Sequence, residues 1–372
     1  MNPPAGGGRP SVVFAGGGTG GHLYPAIAVA EEVRRLRPAA SITFIGTRDR
    51  IEAREVPRHG FGFETIWISG FRRSLAPRNL LFPLKVVTAL AQAAAHLRRL
   101  RADAVLGTGG YVSGPVLAAA AAMGIPTLLH ESNSEPGVTT RLLASRVDEV
   151  HVTFEQTLGR LRGVRGARVT GNPTRRSLGS VGREEAARAF GLRPDRPTLL
   201  VTGGSLGASS INRAMAGRLP SLAGRGVQVI WQTGAADERA MRAAAEGVTG
   251  VVVSAFIERM ELAYAAADMV LCRAGATTLA ELTAVGMPAV LVPYPHAAAD
   301  HQTFNARAME AAGAARVVRD SDLDAVLGSV LDDLLGDTGA RREMAERSRA
   351  LGKPDAASVL ARAVLARAET PP

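Results

Sequence analysis

Apolar residues fall into two alternating rhythms. Short unbroken runs such as Val12–Ala15, Leu199–Val201, Val251–Val253, Met269–Cys272 and Ala289–Val292 are too brief for helices. They are apolar on both faces, as strands buried inside a parallel sheet are. Between the runs, apolar positions recur every three or four residues, as in Leu23, Ile27, Ala30 and Val33, the period of an amphipathic helix. In the first half this predicts strands over 11–15, 42–45, 64–68, 104–106 and 127–130 and a last strand over 147–153. Helices fall over 22–36, 80–100 and 114–123. In the second half it predicts strands over 198–202, 228–232, 251–254, 269–272 and 289–292. The helices there cover 209–219, 236–246, 258–266, 278–286, 302–312, 322–335 and 339–350. Regular strand–helix alternation gives an α/β fold: two Rossmann-like domains with parallel sheets facing across a cleft. The turn Gly171-Asn172-Pro173 sets the boundary. The division is 1–172 and 173–351, with a final helix about 352–368 packed back on the first domain.

Glycine punctuates this pattern where strands turn into helices. Ala15-Gly16-Gly17-Gly18-Thr19-Gly20-Gly21-His22 follows the first strand, and Thr202-Gly203-Gly204-Ser205-Leu206-Gly207-Ala208 follows the first strand of the second half. A third turn, Gly107-Thr108-Gly109-Gly110, lies between them. Unpaired N–H groups at such helix starts attract phosphate or developing negative charge. Gly16, Gly18 and Gly21 satisfy G-x-G-x-x-G, but a dinucleotide site also needs an acid closing the second strand. Here the first acid is Asp49, late and flanked by Arg48 and Arg50. His22 stands at a helix start, which favours the neutral imidazole a general base needs, or else a structural histidine.

In the second half, Ala276-Thr277-Thr278-Leu279-Ala280-Glu281 opens a helix after a strand. Thr277 or Thr278 caps it, its N–H groups suit phosphate, and Glu281 in the first turn suits the two hydroxyls of a ribose. Pro293–His296 and Asp300–Asn305 add polar groups past a strand's carboxyl end, where α/β sheets bind ligands. Asp320, Asp322 and Asp324 lack the glycine and distal glutamate of a calcium loop, and read as a loop with a helix N-cap. No His/Cys spacing suits zinc, so no metal site is expected.

Composition changes the picture in two places. The single cysteine, Cys272, excludes an internal disulfide and suits a reducing compartment. The net charge is +10, and it is uneven. No acid stands between Glu64 and Asp103, where Arg72, Arg73, Arg78, Lys85, Arg98, Arg99 and Arg101 lie. Leu80–Leu84 sits apolar among these cations, a pattern for an interfacial patch on anionic lipid, or for a core-facing segment with a basic rim. Sparse aromatics, 4% of residues, argue against a nucleic-acid partner. Residues 1–10 read as a leader rather than a signal peptide, and no apolar stretch is long enough to span a bilayer.

In order along the chain stand Gly17–His22, Gly107–Gly114, His130-Glu131-Ser132-Asn133, Gly171-Asn172-Pro173, Gly203–Ala208, Cys272–Glu281 and Asp300–Asn305. This ordered set resembles the MurG family of peptidoglycan glycosyltransferases. That family moves N-acetylglucosamine (GlcNAc) from UDP-GlcNAc to lipid I, undecaprenyl-pyrophosphoryl-MurNAc-pentapeptide, giving lipid II. The resemblance implies the glycosyltransferase B architecture, no cofactor, and a peripheral enzyme on the cytoplasmic face of the inner membrane. Segment 72–85 would then meet its anionic surface. It further implies that Thr19, Gly20 and Gly21 approach the donor sugar and acceptor pyrophosphate, with Gly18, Gly109, Gly110 and Tyr111 on the acceptor. Asn133 contacts GlcNAc, Arg175 and Ser205 the nucleotide, and Ile257 the uracil. Ala276, Thr277, Thr278, Leu279, Ala280 and Glu281 cradle phosphates and ribose, and Gln302 reads sugar hydroxyls. His22 or Glu131 is the base. Ser132 departs from the glutamine frequent in the family. Rival readings are another UDP-sugar enzyme of the same fold, such as a 2-epimerase or a soluble-acceptor transferase, and an NAD(P)-dependent oxidoreductase.

Overall fold

The computed structural model describes residues 9–70, 81–297 and 300–370. The expectations placed on 1–8, on Arg72, Arg73, Arg78 and Leu80, and on 298–299 lie outside the described residues. Two compact units emerge: the described residues up to Arg175 together with those from Asp355 on, and Arg176–Pro354.

The first unit runs β1 (Ser11–Ala15), α1 (Gly20–Leu36), β2 (Ser41–Gly46), α2 (Ile51–Arg58), β3 (Gly62–Thr65), α3 (Phe82–Leu100), β4 (Ala104–Gly107), α4 (Gly110–Ala122), β5 (Thr127–Glu131), α5 (Val138–Leu143), β6 (Glu149–Val152), α6 (Glu155–Leu158) and β7 (Ala167–Val169). Its strands pair in parallel in the order β3-β2-β1-β4-β5-β6-β7. The order reverses between β1 and β4, and the crevice beyond the carboxyl ends of such a pair is where doubly wound sheets hold ligands.

The second unit runs α7 (Arg183–Ala189), β8 (Thr198–Thr202), α8 (Ser209–Ala216), α9 (Leu219–Gly224), β9 (Gln228–Gln232), α10 (Glu238–Ala244), β10 (Val251–Ser254), α11 (Met260–Ala266), β11 (Met269–Cys272), α12 (Ala276–Val285), β12 (Ala289–Leu291), α13 (His301–Ala311), β13 (Ala315–Val317), α14 (Leu323–Gly336) and α15 (Thr338–Ala350). Its parallel order is β10-β9-β8-β11-β12-β13, so its switch point lies between β8 and β11. α16 (Ala356–Glu369) returns to the first unit.

Both units pin their central strands in the same way. The acid just before β4, Asp103, accepts the Ser11 N–H at 2.7 Å. The acid just before β11, Asp268, accepts the Thr198 N–H, also at 2.7 Å. Each bond satisfies the first donor of a central strand and fixes register at the switch point.

Apolar clusters cover both faces of each sheet. In the first unit, α3 and α4 pack Ala89, Ala93, Leu97, Val116 and Leu117 on one face. On the other, α16 joins α1 through Leu360, Ala361, Val364 and Leu365, and Arg367 ties it to Glu149 with two bonds of 2.7 and 2.9 Å.

The structure corrects the sequence reading where local signals are weak. The strand at 147–153 is not the last: β7 follows it, and β13 ends the second sheet. All three residues of β7 are exposed, so no buried period marks it. Short, charged α2 and α7 were also unmarked. The strand expected over 64–68 is shifted, β3 ending at Thr65.

Candidate active site

In the first unit, two glycine turns meet at the switch point. β1 runs into Gly16–Thr19 and α1, and the neighbouring β4 runs into Thr108, Gly109 and α4. Gly109 has φ +100°, and a Cβ there would lie 2.6 Å from His22 Nδ1. Only glycine therefore lets the second turn close over the imidazole. His22 Nδ1 lies 3.1 Å from the Thr108 carbonyl oxygen. A carbonyl only accepts, so Nδ1 carries the proton and Nε2 is the basic nitrogen. The Thr108 hydroxyl donates back to the His22 carbonyl at 2.7 Å. Tyr111 packs beside Gly18, while Thr19 and Gly21 are exposed and Gly20 is partly so.

Glu52 is the residue that sequence reasoning missed. It is fully buried on α2 and accepts from Gly18 N–H at 3.0 Å, from Thr47 N–H at 3.1 Å and from the Thr47 hydroxyl at 2.7 Å. The dinucleotide pattern asks for an acid closing β2, and the first acid after that strand is Asp49. The acid that matters stands in the first turn of the next helix and faces the glycine loop.

Glu131 ends β5 and is 4% exposed. Its Oε1 accepts from Asn133 N–H and Nδ2 at 3.0 and 3.2 Å. Its Oε2 accepts from Gly137 N–H at 2.9 Å and the Thr140 hydroxyl at 2.6 Å. The carboxylate thus folds residues 133–140 around itself and aims Asn133. The Arg175 guanidinium lies 4.9 Å over the Tyr24 ring on α1. Beneath the site, His130 and His151 are register partners on β5 and β6. Burial pushes the His130 pKa down to about 4, against a weaker upward pull from the Gly171 carbonyl.

In the second unit, the turn after β8 abuts the turn after β9. Gly207 has φ +78°, and a Cβ there would fall 2.0 Å from the Thr233 carbonyl oxygen, so the backbones touch only because no side chain intervenes. Ser205 and Leu206 stand exposed at the loop tip. Gln232, another residue not foreseen, binds this turn together from its buried side chain. Its Nε2 donates to Thr202 Oγ1 at 3.1 Å and to the Gly204 carbonyl at 2.9 Å, and its Oε1 accepts Ile257 N–H at 2.8 Å.

α12 begins at Ala276 with Gly275 as its N-cap and no side-chain capping bond. This corrects the expectation that Thr277 or Thr278 caps it. Both threonines sit within the first turn, among N–H groups that lack intrahelical partners. Leu279 points into the core, Ala280 is partly exposed, and Glu281 lies in the second turn, not the first. The Tyr264 hydroxyl donates to Glu281 Oε2 at 2.9 Å. Gln302 Oε1 accepts Tyr294 N–H at 3.0 Å. Asp320 is no plain cap: it pairs with Arg273 and accepts the Ser210 hydroxyl at 2.7 Å, and the N-cap of α14, Asp322, makes no capping bond. Among the described residues, no group of three or more His, Cys, Asp or Glu could hold a metal ion.

Two doubly wound units, each with glycine turns on both strands of its switch point, form the framework of nucleotide-sugar glycosyltransferases. The chain belongs to glycosyltransferase family 28: residues 12–152 match its N-terminal domain and residues 198–360 its C-terminal domain. A UDP-N-acetylglucosamine–N-acetylmuramyl-(pentapeptide) pyrophosphoryl-undecaprenol N-acetylglucosamine transferase from Prosthecochloris aestuarii is 47% identical over 357 residues, 94% of this chain and 97% of that protein. The same-named protein of Salinibacter ruber is 46% identical, covering 97% of each chain. The crystal structure of Acinetobacter baumannii MurG superposes with a TM-score of 0.70 at 28% identity, covering 96% of this chain and 99% of that one.

Proposed function

We propose that the chain transfers GlcNAc from UDP-GlcNAc to the C4 hydroxyl of MurNAc in undecaprenyl-pyrophosphoryl-MurNAc-pentapeptide, converting lipid I to lipid II in peptidoglycan synthesis. The full-length likeness to transferases of that name supports the substrate pair. The observation that carries the chemistry is the 3.1 Å approach of His22 Nδ1 to the Thr108 carbonyl oxygen: an imidazole that donates Nδ1–H to a carbonyl offers Nε2 as a general base.

In this reading the acceptor oxygen attacks C1 of GlcNAc as its proton passes to His22 Nε2. The C1–O bond to UDP breaks on the opposite face, so the anomeric centre inverts to a β linkage. Thr19, Gly20 and Gly21 border the reacting sugars, and Gly18, Gly109, Gly110 and Tyr111 border the acceptor. Glu131 acts by positioning Asn133 towards GlcNAc rather than as the base, since its two oxygens already accept four bonds from their own loop. The second unit takes the donor: the first-turn N–H groups of α12, with Thr277 and Thr278, meet the diphosphate, and their fixed dipoles favour the charge that grows on leaving UDP. Ser205 and Arg175 serve the nucleotide, Ile257 the uracil, Glu281 the ribose and Gln302 the sugar.

Lipid I is held in a membrane, so the enzyme works at its surface. Among the described residues no helix is long and apolar enough to cross a membrane. At the start of α3, Leu81, Leu84 and Val87 are 50%, 55% and 64% exposed, beside Lys85 and Trp67. These side chains suit a peripheral contact with an anionic cytoplasmic leaflet, an apolar stripe with the cation of Lys85 beside it.

The test is transfer of radiolabelled GlcNAc to a lipid I analogue, with wild type beside His22→Ala. Transfer by wild type and a loss of about 10²-fold or more in the variant, with UDP-GlcNAc affinity kept, supports both reaction and base. A folded wild type that binds UDP-GlcNAc without transferring it would point to a 2-epimerase or a different acceptor.

A further inference from the structure

Tyr264 stands on α11, 3% exposed, with its ring inside the core cluster that also contains Ile257, Cys272, Leu279 and Leu282. Its hydroxyl donates to Glu281 Oε2 at 2.9 Å. Two different elements thus meet at one carboxylate: a helix whose side chains are anchored in the core, and the helix whose first turn faces the proposed diphosphate. Glutamate has three rotatable side-chain bonds, and a ligand that must order them loses affinity in doing so. A buried phenol, held by its own packing, has almost no such freedom, and a hydrogen bond to a charged acceptor is among the stronger kinds.

We infer that Tyr264 is a positioning residue that presets the Glu281 carboxylate for the two ribose hydroxyls of the donor nucleotide, and so helps the site select a ribonucleoside diphosphate over its deoxy counterparts. This rests on the proposed role of Glu281 at the ribose. Tyr264 touches no substrate atom itself. A site built around a fixed acceptor discriminates against a ligand lacking the matching hydroxyls, because that ligand forgoes charge-assisted bonds whose geometry is already set.

Calorimetric titration with UDP and with 2′,3′-dideoxy-UDP tests this on the full chain, using wild type, Tyr264→Phe and Glu281→Gln. Wild type is expected to prefer UDP by about 10-fold or more, the scale of one charged hydrogen bond. Tyr264→Phe should bring that preference to about 3-fold or less by weakening UDP while leaving dideoxy-UDP unchanged. In the transfer assay, donor KM should rise with kcat within about twofold of wild type. If Tyr264→Phe weakens both ligands equally, or keeps the full preference while Glu281→Gln abolishes it, the positioning role is overturned and the ribose role of Glu281 stands. If Glu281→Gln itself keeps the full preference, the ribose reading falls first. Loss of cooperative unfolding in Tyr264→Phe would also overturn the inference, since the hydroxyl would then be holding the fold and not the ligand.

Discussion

His22 and Thr108 are joined by two reciprocal hydrogen bonds, the imidazole Nδ1–H to the Thr108 carbonyl at 3.1 Å and the Thr108 hydroxyl to the His22 backbone carbonyl at 2.7 Å. They lock a residue after β1 to a residue after β4, the two strands of the switch point. Gly109 closes over one side of the ring, where a Cβ would lie 2.6 Å from Nδ1. Gly109→Ala should therefore displace the ring without touching the second unit. The expected result is a fall in kcat of about 10- to 100-fold, the scale that misplacing a catalytic group brings. UDP-GlcNAc affinity, read by calorimetry, should stay within twofold of wild type, about the error of comparing two titrations.

Glu131 and His22 separate by what each variant changes. Glu131→Gln keeps the shape of the side chain but turns one acceptor oxygen into a donor, opposite either Asn133 or Gly137 and Thr140. The 133–140 loop should loosen, so KM for a substrate should rise while kcat falls less than about tenfold, whereas His22→Ala lowers kcat itself. A Glu131→Gln variant with unchanged KM and kcat down by 10³-fold or more would make Glu131 the base.

Much of this site was legible because its elements repeat a strong local signal. Strands β1, β8 and β11 are buried at every position, so their apolar runs stand out. The glycine turns after them advertise the switch points. What stayed hidden depends on residues far apart in sequence. Glu52 reaches Gly18 across 34 positions, Gln232 reaches Ile257 across 25, and Tyr264 reaches Glu281 across 17. A lone polar residue in a helix or strand carries no periodic mark, and only the fold shows which backbone donor it faces. The capping expectation at Thr277 and Thr278 missed by two and three residues for a simpler reason: Gly275 is the N-cap without a side-chain bond, and threonine within the first turn looks the same in sequence.

Glu52 should matter to stability as well as to the loop. A buried carboxylate that accepts three bonds leaves three donors unsatisfied when removed. Glu52→Ala is expected to destabilise the chain by about 2–4 kcal/mol. Glu52→Gln should cost less, because one oxygen still accepts. Urea unfolding at neutral pH checks both, and an alanine variant within 0.5 kcal/mol of wild type, the range of ordinary surface changes, would remove the role assigned to Glu52.

The buried His130 gives stability a pH dependence of known sign. Burial lowers its pKa from the ordinary 6.5 to about 4, and burial lowers that of its neighbour His151 as well. Above pH 6.5 the native and unfolded histidines are both neutral and contribute no slope. As pH falls towards 4 the unfolded chain takes up the proton and the native one does not, so stability is lost across that window. For His130 the loss approaches ~3 kcal/mol. Urea midpoints measured at pH 7 and pH 4.5 should show the decline. His130→Gln, which keeps a donor for the Gly171 carbonyl, should remove the His130 share of it and leave that of His151.

The stripe at the start of α3 separates surface contact from nucleotide binding. Its buried side carries Ala89, Ala93 and Leu97, so the helix is already anchored, and Leu84 and Val87 remain 55% and 64% exposed without serving the core. Placing glutamate at Leu84 and Lys85 removes apolar area and reverses a charge while leaving that buried side intact. Each buried methylene contributes about 0.8 kcal/mol to lipid partition, and each cation near an anionic leaflet about 1 kcal/mol. Together these predict at least a tenfold fall in binding to phosphatidylglycerol vesicles. Extending the charge reversal to Arg72, Arg73 and Arg78 should deepen the loss. UDP affinity should not move, because α3 belongs to the first unit, and the unfolding midpoint should fall by no more than the loss of the Lys85 bond to Ser69 brings, about 1 kcal/mol. Unchanged vesicle binding with both controls intact would place the membrane contact elsewhere on the molecule.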